Sequence, residues 1–234
     1  MNYLYDPSPD ALVALCAEKT IAAIAEAWRG LRRAQIVITG GRTGFASAKA
    51  IDQALFRLVR ENSSFEGSVV HIWFSDERFV APGDPLRNDD ALIEAFSLSR
   101  SHCVFHSIAG EGDVAQAAAA YAKDLELEVG SKAFDAVVLS MGEDGHVASL
   151  FPDLLNPEEP RAAIEVRNSP KEPPNRVSLS LARLAHAHSI YIFCLGEGKI
   201  EALRAVQRGP VGLLDKSSPS GQIFILTDLA TNTL

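Results

Sequence analysis

The feature that most constrains this chain is an alternation of short apolar runs with longer stretches of helical periodicity. Ile36-Val37-Ile38, Val69–Phe74, Cys103–Ile108, Ala136–Leu139, Ser189–Leu195 and Ile223–Leu226 are too short for helices and rich in β-branched or aromatic residues, so they read as buried strands. Ala162–Val166 and Val177–Leu181 are weaker strand candidates. Between these runs, apolar residues recur at helical spacing over Leu12–Leu31, over a stretch ending near Val59, and over Asp89–Phe96, Asp113–Val129 and a stretch ending near Arg208. Ser8 and Asp10 are the candidate caps of the first helix. Strands alternating with helices predict an α/β fold: a single-domain, Rossmann-like three-layer sandwich over residues 1–234, with a mostly parallel sheet covered on both faces. Ligands of such sheets sit beyond the carboxyl ends of the strands. The polar, glycine-rich segments of this chain follow strands, so they are expected to meet in one crevice.

Charge narrows the partners. A net charge of −8 and a pI near 5.3 argue against nucleic acid, because no basic stripe is available to release counterions from a phosphate backbone. A pocket on an acidic protein can still be locally positive, so a small anionic ligand stays open. No apolar stretch approaches the length of about 18 residues that a membrane span needs, and Met1–Asp10 has no basic segment followed by an apolar run. Cys16, Cys103 and Cys194 are odd in number, far apart and without a C-x-x-C pair, so neither a disulfide framework nor a zinc site is expected. The expectation is a cytoplasmic monomer or small homo-oligomer acting on a small molecule, with no metal, no cofactor, no nucleic acid and no membrane.

Four segments carry chemistry. Thr39-Gly40-Gly41-Arg42-Thr43-Gly44 lies between a strand and a helix. Its glycines let backbone N–H groups approach a ligand, and a helix start adds partial positive charge, which makes a phosphate cradle or simply a tight turn. The segment is neither a Walker A loop nor a dinucleotide fingerprint. Ser75-Asp76-Glu77-Arg78 ends the second strand; its charges are either a solvated loop or a partnered set at a ligand site. Met141-Gly142-Glu143-Asp144-Gly145-His146 places a histidine at the expected start of the next helix. A neutral imidazole is a suitable general base near pH 7 and a nearby carboxylate can fix its tautomer, although a capped surface turn reads the same way. Arg176 and Lys199 are either surface charges or phosphate ligands, Arg as a fork and Lys as a point charge, at about 1.5–3 kcal/mol per charge-assisted bond.

Together these segments resemble the 6-phosphogluconolactonase family, within the wider group of glucosamine-6-phosphate deaminases and ribose-5-phosphate isomerases. Thr39-Gly40-Gly41-Arg42-Thr43 resembles the family's S-G-G-[SR]-T loop, Trp73–Val80 resembles W-x-x-D-E-R-x-V, and Met141–Pro152 resembles M-G-x-D-G-H-T-A-S-L-F-P. Weaker matches are Asp84–Asn88, Ser169-Pro170-Lys171 with Pro173-Pro174-x-Arg176, and Gly196-x-x-Lys199. Gly44, Ser140 and Val147 depart from the family's common proline, glycine and threonine, and none of the three removes a titratable group.

The resemblance implies hydrolysis of 6-phospho-D-glucono-1,5-lactone to 6-phosphogluconate, a step of the oxidative pentose phosphate pathway. It implies that His146 is the general base with Asp76 and Asp144 as its catalytic companions, and that Gly40, Gly41, Arg42, Thr43, Arg176 and Lys199 hold the phosphate. It also implies that Arg78 binds the substrate, Asp76 and Arg78 helping to shape the site and orient the sugar or the base. Gly142 and Gly145 would form the turn or supply oxyanion donors. A hexosamine-6-phosphate deaminase/isomerase is the alternative, disfavoured because Ala148-Ser149-Leu150-Phe151 lacks the glutamate used there for ring opening. A non-catalytic sugar-phosphate-binding domain is the other, disfavoured because the segment before Ile36 offers no basic recognition helix.

Overall fold

A computed structural model describes residues 2–208 and 221–230. Its strands are β1 (Asn2–Tyr5), β2 (Arg33–Ile38), β3 (Val69–Phe74), β4 (Asp76–Arg78), β5 (Cys103–His106), β6 (Ala136–Ser140), β7 (Ala163–Val166), β8 (Arg176–Leu179), β9 (Ser189–Cys194) and β10 (Gln222–Thr227). The helices are α1 (Pro9–Leu31), α2 (Gly41–Glu61), α3 (Asp89–Ala95), α4 (Val114–Glu128), α5 (Leu181–Ala185) and α6 (Ile200–Arg208). Seven strands form one parallel sheet in the order β1-β10-β9-β6-β2-β3-β5. The central strands are buried nearly end to end, as a parallel sheet covered on both faces requires. Helices α1 and α2 pack on each other and on the sheet, while α4 packs over β7 and β8. The expected α/β sandwich with a parallel main sheet is the observed one.

Local chemistry explains the helix starts. Ser8 caps α1 by accepting the N–H of Ala11 at 3.3 Å, with Asp10 in the first turn. Asp113 caps α4 through the N–H groups of Ala115 and Gln116. Ser180 accepts the N–H of Arg183, which ends β8 at Leu179 and starts α5 at Leu181. The strand expected to run to Leu181 is therefore cut short by a cap.

The sequence reading missed two strands, besides the short helix α5. β1 pairs in parallel with β10, but its half-exposed residues carry too little apolar pattern to announce a strand. Asp76–Arg78 is itself a strand, antiparallel to β8, and β7 completes this second, three-stranded sheet. One contiguous hydrophobic cluster runs through both sheets and includes Val37 and Trp73 of the large one with Val177 and Leu179 of the small one. Among the described residues no helix is long and apolar enough to cross a membrane.

The chain leaves the main sheet after Phe74, and one side chain secures that exit. The buried Tyr121 hydroxyl, carried by α4, donates to the Phe74 carbonyl and accepts the Phe74 N–H, both at 2.9 Å. Tyr121→Phe leaves both backbone groups buried and unsatisfied. It should lower unfolding free energy by about 2–4 kcal/mol, read from urea titration, with little effect on the far sheet edge at β1.

Candidate active site

Parallel strands put their carboxyl ends on one side of the sheet, and a cleft of about 520 Å³ opens there. Thr39, Gly40 and Gly41 enter it after β2, and Asp76 and Arg78 after β3. Ser140 ends β6, Met141–Glu143 and His146 follow it, and Lys199 follows β9. The segment before β8 contributes Lys171 and Glu172, and β8 itself contributes Arg176. Four cations, Arg78, Lys171, Arg176 and Lys199, thus face one space on a chain of net charge −8. The carboxylates of Asp76, Glu143 and Glu172 share it.

His146 is held by the turn that precedes it. The Gly142 N–H donates to the His146 carbonyl at 2.8 Å and the Gly145 N–H to the Gly142 carbonyl at 3.1 Å. Gly145 has φ +84°, a conformation that favours glycine. Gly142 is required for space, because a Cβ there would lie 2.2 Å from both Cε1 and Nδ1 of the imidazole. These two N–H groups are consumed within the turn, so the glycines shape it and are not free oxyanion donors. The residues around His146 form β-bridges, Met141 with Val147 and Val147 with Leu150. His146 therefore sits in a bridged turn and not at a helix start as the sequence reading expected. Glycine at two positions and a β-branched Val147 favour the turn over a helix.

The imidazole Nδ1 is hydrogen-bonded to the Asp144 carboxylate. An ionised carboxylate only accepts, so Nδ1 carries the hydrogen and the Nε2 lone pair is left as the base. Burial lowers the His146 pKa below its usual value, Asp144 pulls it up, and Lys171 lowers it again. The imidazole is thus neutral near pH 7. Burial pushes the Asp144 carboxyl up, but the bond and charge of His146, with Lys171, outweigh it and hold the group below its ordinary range. Lys171 Nζ stands 3.7 Å from Asp144. Phe151 covers the ring, with centroids 4.6 Å apart.

The two carboxylates after β3 are buried with partners. Asp76 accepts hydroxyl bonds from Ser75 at 2.8 Å and Ser149 at 2.6 Å. Glu77 accepts backbone N–H bonds from Arg78, Asn88 and Asp89. Burial still pushes the Glu77 carboxyl up to about 7, against the pull of those bonds. The solvated-loop reading of this segment is therefore excluded. Arg78 Nη1 donates to the Leu86 carbonyl at 2.6 Å, which anchors one edge of the cleft.

The cations divide. Arg176 is buried, donating from Nε to Pro173 O and from Nη2 to the carbonyls of Lys171 and Glu172. Lys199 Nζ lies 3.4 Å from Ser140 Oγ. Burial lowers the pKa of both. Arg42 and Thr43 fall in the first turn of α2, and neither lines the cleft. Arg42 is exposed, and the Thr43 carbonyl accepts the Ser47 hydroxyl. Asn88, Ser140, Lys171 and Glu143 line the cleft without having been assigned a role from sequence. Asn88 and Lys171 belong to the weaker motif matches, Asp84–Asn88 and Ser169-Pro170-Lys171, which was the available signal.

Residues 7–223 match the model of the family described as glucosamine-6-phosphate isomerases/6-phosphogluconolactonase. The chain is 35% identical over 207 residues to a 6-phosphogluconolactonase of Streptomyces coelicolor, covering 82% of this chain and 77% of that one. It is 32% identical over 219 residues to a 6-phosphogluconolactonase of Mycobacterium tuberculosis, covering 87% and 84%. In structure it resembles a 6-phosphogluconolactonase from Shewanella baltica with a TM-score of 0.80 at 22% identity, covering 97% of both chains, a likeness of fold. A match over nearly the whole chain, with the fold those relatives share, shows that this protein belongs to the glucosamine-6-phosphate isomerase/6-phosphogluconolactonase family.

Proposed function

We propose that this protein hydrolyses 6-phospho-D-glucono-1,5-lactone to 6-phosphogluconate. The observation that carries the reading is that His146, bonded to Asp144, lines one cleft together with Arg78, Lys171, Arg176 and Lys199. Identities above 30% with proteins named as 6-phosphogluconolactonases support it. The absence of a carboxylate over Ala148-Ser149-Leu150-Phe151 separates it from ring-opening deaminase chemistry.

The phosphate sits between Lys199, the free edge of Arg176 and the N-terminus of α2 at Gly40–Gly41. That anchor holds the lactone carbonyl against His146. His146 Nε2 takes a proton from water as the water oxygen attacks the carbonyl carbon, and Asp144 stabilises the imidazolium that forms. The tetrahedral oxyanion develops beside the Lys171 ammonium. The carbon–oxygen bond of the ring then breaks, and the leaving ring oxygen takes the proton from His146. The carboxylic acid product loses its own proton to solvent. No covalent intermediate is required.

The deciding assay is lactone disappearance with purified protein, using unphosphorylated gluconolactone as the control. Turnover should favour the phosphorylated lactone; equal turnover of both, or none of either, refutes the reading. His146→Ala should lower kcat by about 10²–10⁴-fold with stability unchanged. Gly142→Ala drives a methyl into the His146 ring and should lower kcat by about 10²-fold while KM moves little. The acid limb of the kcat profile should have its midpoint below 6.5, because burial depresses the imidazole. Asp144→Asn removes the charge that raises that pKa, so the limb should move to still lower pH while the plateau falls. A limb that stays in place in Asp144→Asn would dissociate the two residues.

A further inference from the structure

Asn88 lines the cleft and takes no part in the steps above. The residue is 8% exposed, and its side-chain amide has no hydrogen-bond partner among the described residues. Buried polar groups are normally paired, so an amide kept open at the wall of a cleft is arranged for a ligand.

The amide is held with unusual care for a group that bonds nothing. The Asn88 N–H donates to both Glu77 oxygens at 2.9 Å, and the Asp89 N–H donates to Glu77 Oε2 at 2.8 Å. Arg87 fixes the same segment by donating to Val80 O at 3.0 Å, to Ile108 O at 2.8 Å and to the Asp89 carboxylate. On the other side the amide lies flat on Gly40. A Cβ at Gly40 would meet Asn88 Cγ at 2.1 Å, Oδ1 at 2.3 Å and Nδ2 at 2.4 Å. The side chain is thus clamped between a glycine backbone and a carboxylate-tied loop.

An amide presents a donor and an acceptor together. A phosphate offers only acceptors, and would set an anionic oxygen against Oδ1. A sugar hydroxyl both donates and accepts, and the Asp76 and Arg78 side chains lining the same cleft offer it a further acceptor and donor. We propose that Asn88 is a specificity-determining residue that reads a hydroxyl of the polyol substrate, and that Glu77 is its positioning residue. This rests on the sugar-phosphate reading of the cleft and deepens it. Lys199 and Arg176 recognise the phosphate, and Asn88 recognises the carbon chain that carries it.

The test is a pair of titrations, 6-phosphogluconate and inorganic phosphate, into the wild-type protein, Asn88→Ala and Glu77→Gln, with lactone turnover measured beside them. Asn88→Ala keeps its backbone N–H and therefore the Glu77 bonds. It should weaken 6-phosphogluconate binding by about 10- to 100-fold, the loss of one or two hydrogen bonds in a buried site, while phosphate affinity stays unchanged. It should also lower kcat/KM by the same factor for the phosphorylated and unphosphorylated lactones. Glu77→Gln should reproduce this selective loss. Unchanged 6-phosphogluconate affinity in Asn88→Ala, or a parallel loss of phosphate binding, overturns the proposal. Absence of lactone turnover by the wild-type protein sinks the assigned reaction instead, and the binding titrations still decide the role of Asn88.

Discussion

Parallel, in-register pairing of β6, β2 and β3 is the constraint from which the rest follows. Ile38 lies level with Phe74 on one side and Val138 on the other, so β2 and β3 finish side by side and β6 runs on to Ser140 at the same end of the sheet. Thr39–Gly41, Ser75–Arg78 and Ser140–His146 leave the sheet from that shared edge. Segments distant in sequence become neighbours because each strand is buried on both faces, and a slip by one residue would send every side chain into the packing of the opposite layer. The register of a dry sheet, with no contact between the loops themselves, already places a base, two carboxylates and a helix start around one space.

Holding charge at that edge demands partners, and the fold supplies them from both sheets. Asp76 begins β4 and is satisfied by hydroxyls of Ser75 and Ser149. Glu77 ties the backbone ahead of α3 to β4. Arg176, opposite Arg78 in the register of the small sheet, has three of its hydrogen bonds on carbonyls of the preceding loop. A buried charge without such partners costs several kcal/mol, so these networks are what permit ionic groups beside an apolar core. The same burial leaves the imidazole of His146 uncharged near neutrality, while Asp144, more exposed, stays ionised to orient it. Stability and reactivity thus draw on one arrangement: the groups that must not move are buried and tied, and those that exchange protons sit at the cleft.

Much of this was legible in advance. Strands with continuous apolar faces, such as Val69–Phe74 and Ser189–Cys194, declare themselves through composition and length. Of the residues in the three motifs, His146, Asp76, Arg78, Gly40 and Gly41 line the cleft. Less visible were elements whose stabilisation is entirely non-local. β1 exists because β10 offers it a ladder, and β4 is a strand because β8 pairs with it across a long sequence separation. Arg42 and Thr43 belonged to a recognisable loop, yet the helix begins at Gly41 and turns them out of the cleft. Lys171 and Asn88 sat in loops whose polar composition looks the same whether the residue meets ligand or water.

The sequence by itself determined the class of fold, the order of its long helices and buried main-sheet strands, and the chemical types available at the strand ends. Periodicity and turn residues are local properties and need no partner to be read. Tertiary structure alone decided which polar side chains are buried and which Nδ1–H is fixed by which carboxylate. It also decided which glycines exist to make room, Gly40 for Asn88 and Gly142 for His146. Those outcomes depend on distances between residues far apart in the chain, and hydrogen bonding, desolvation and steric exclusion act on distance.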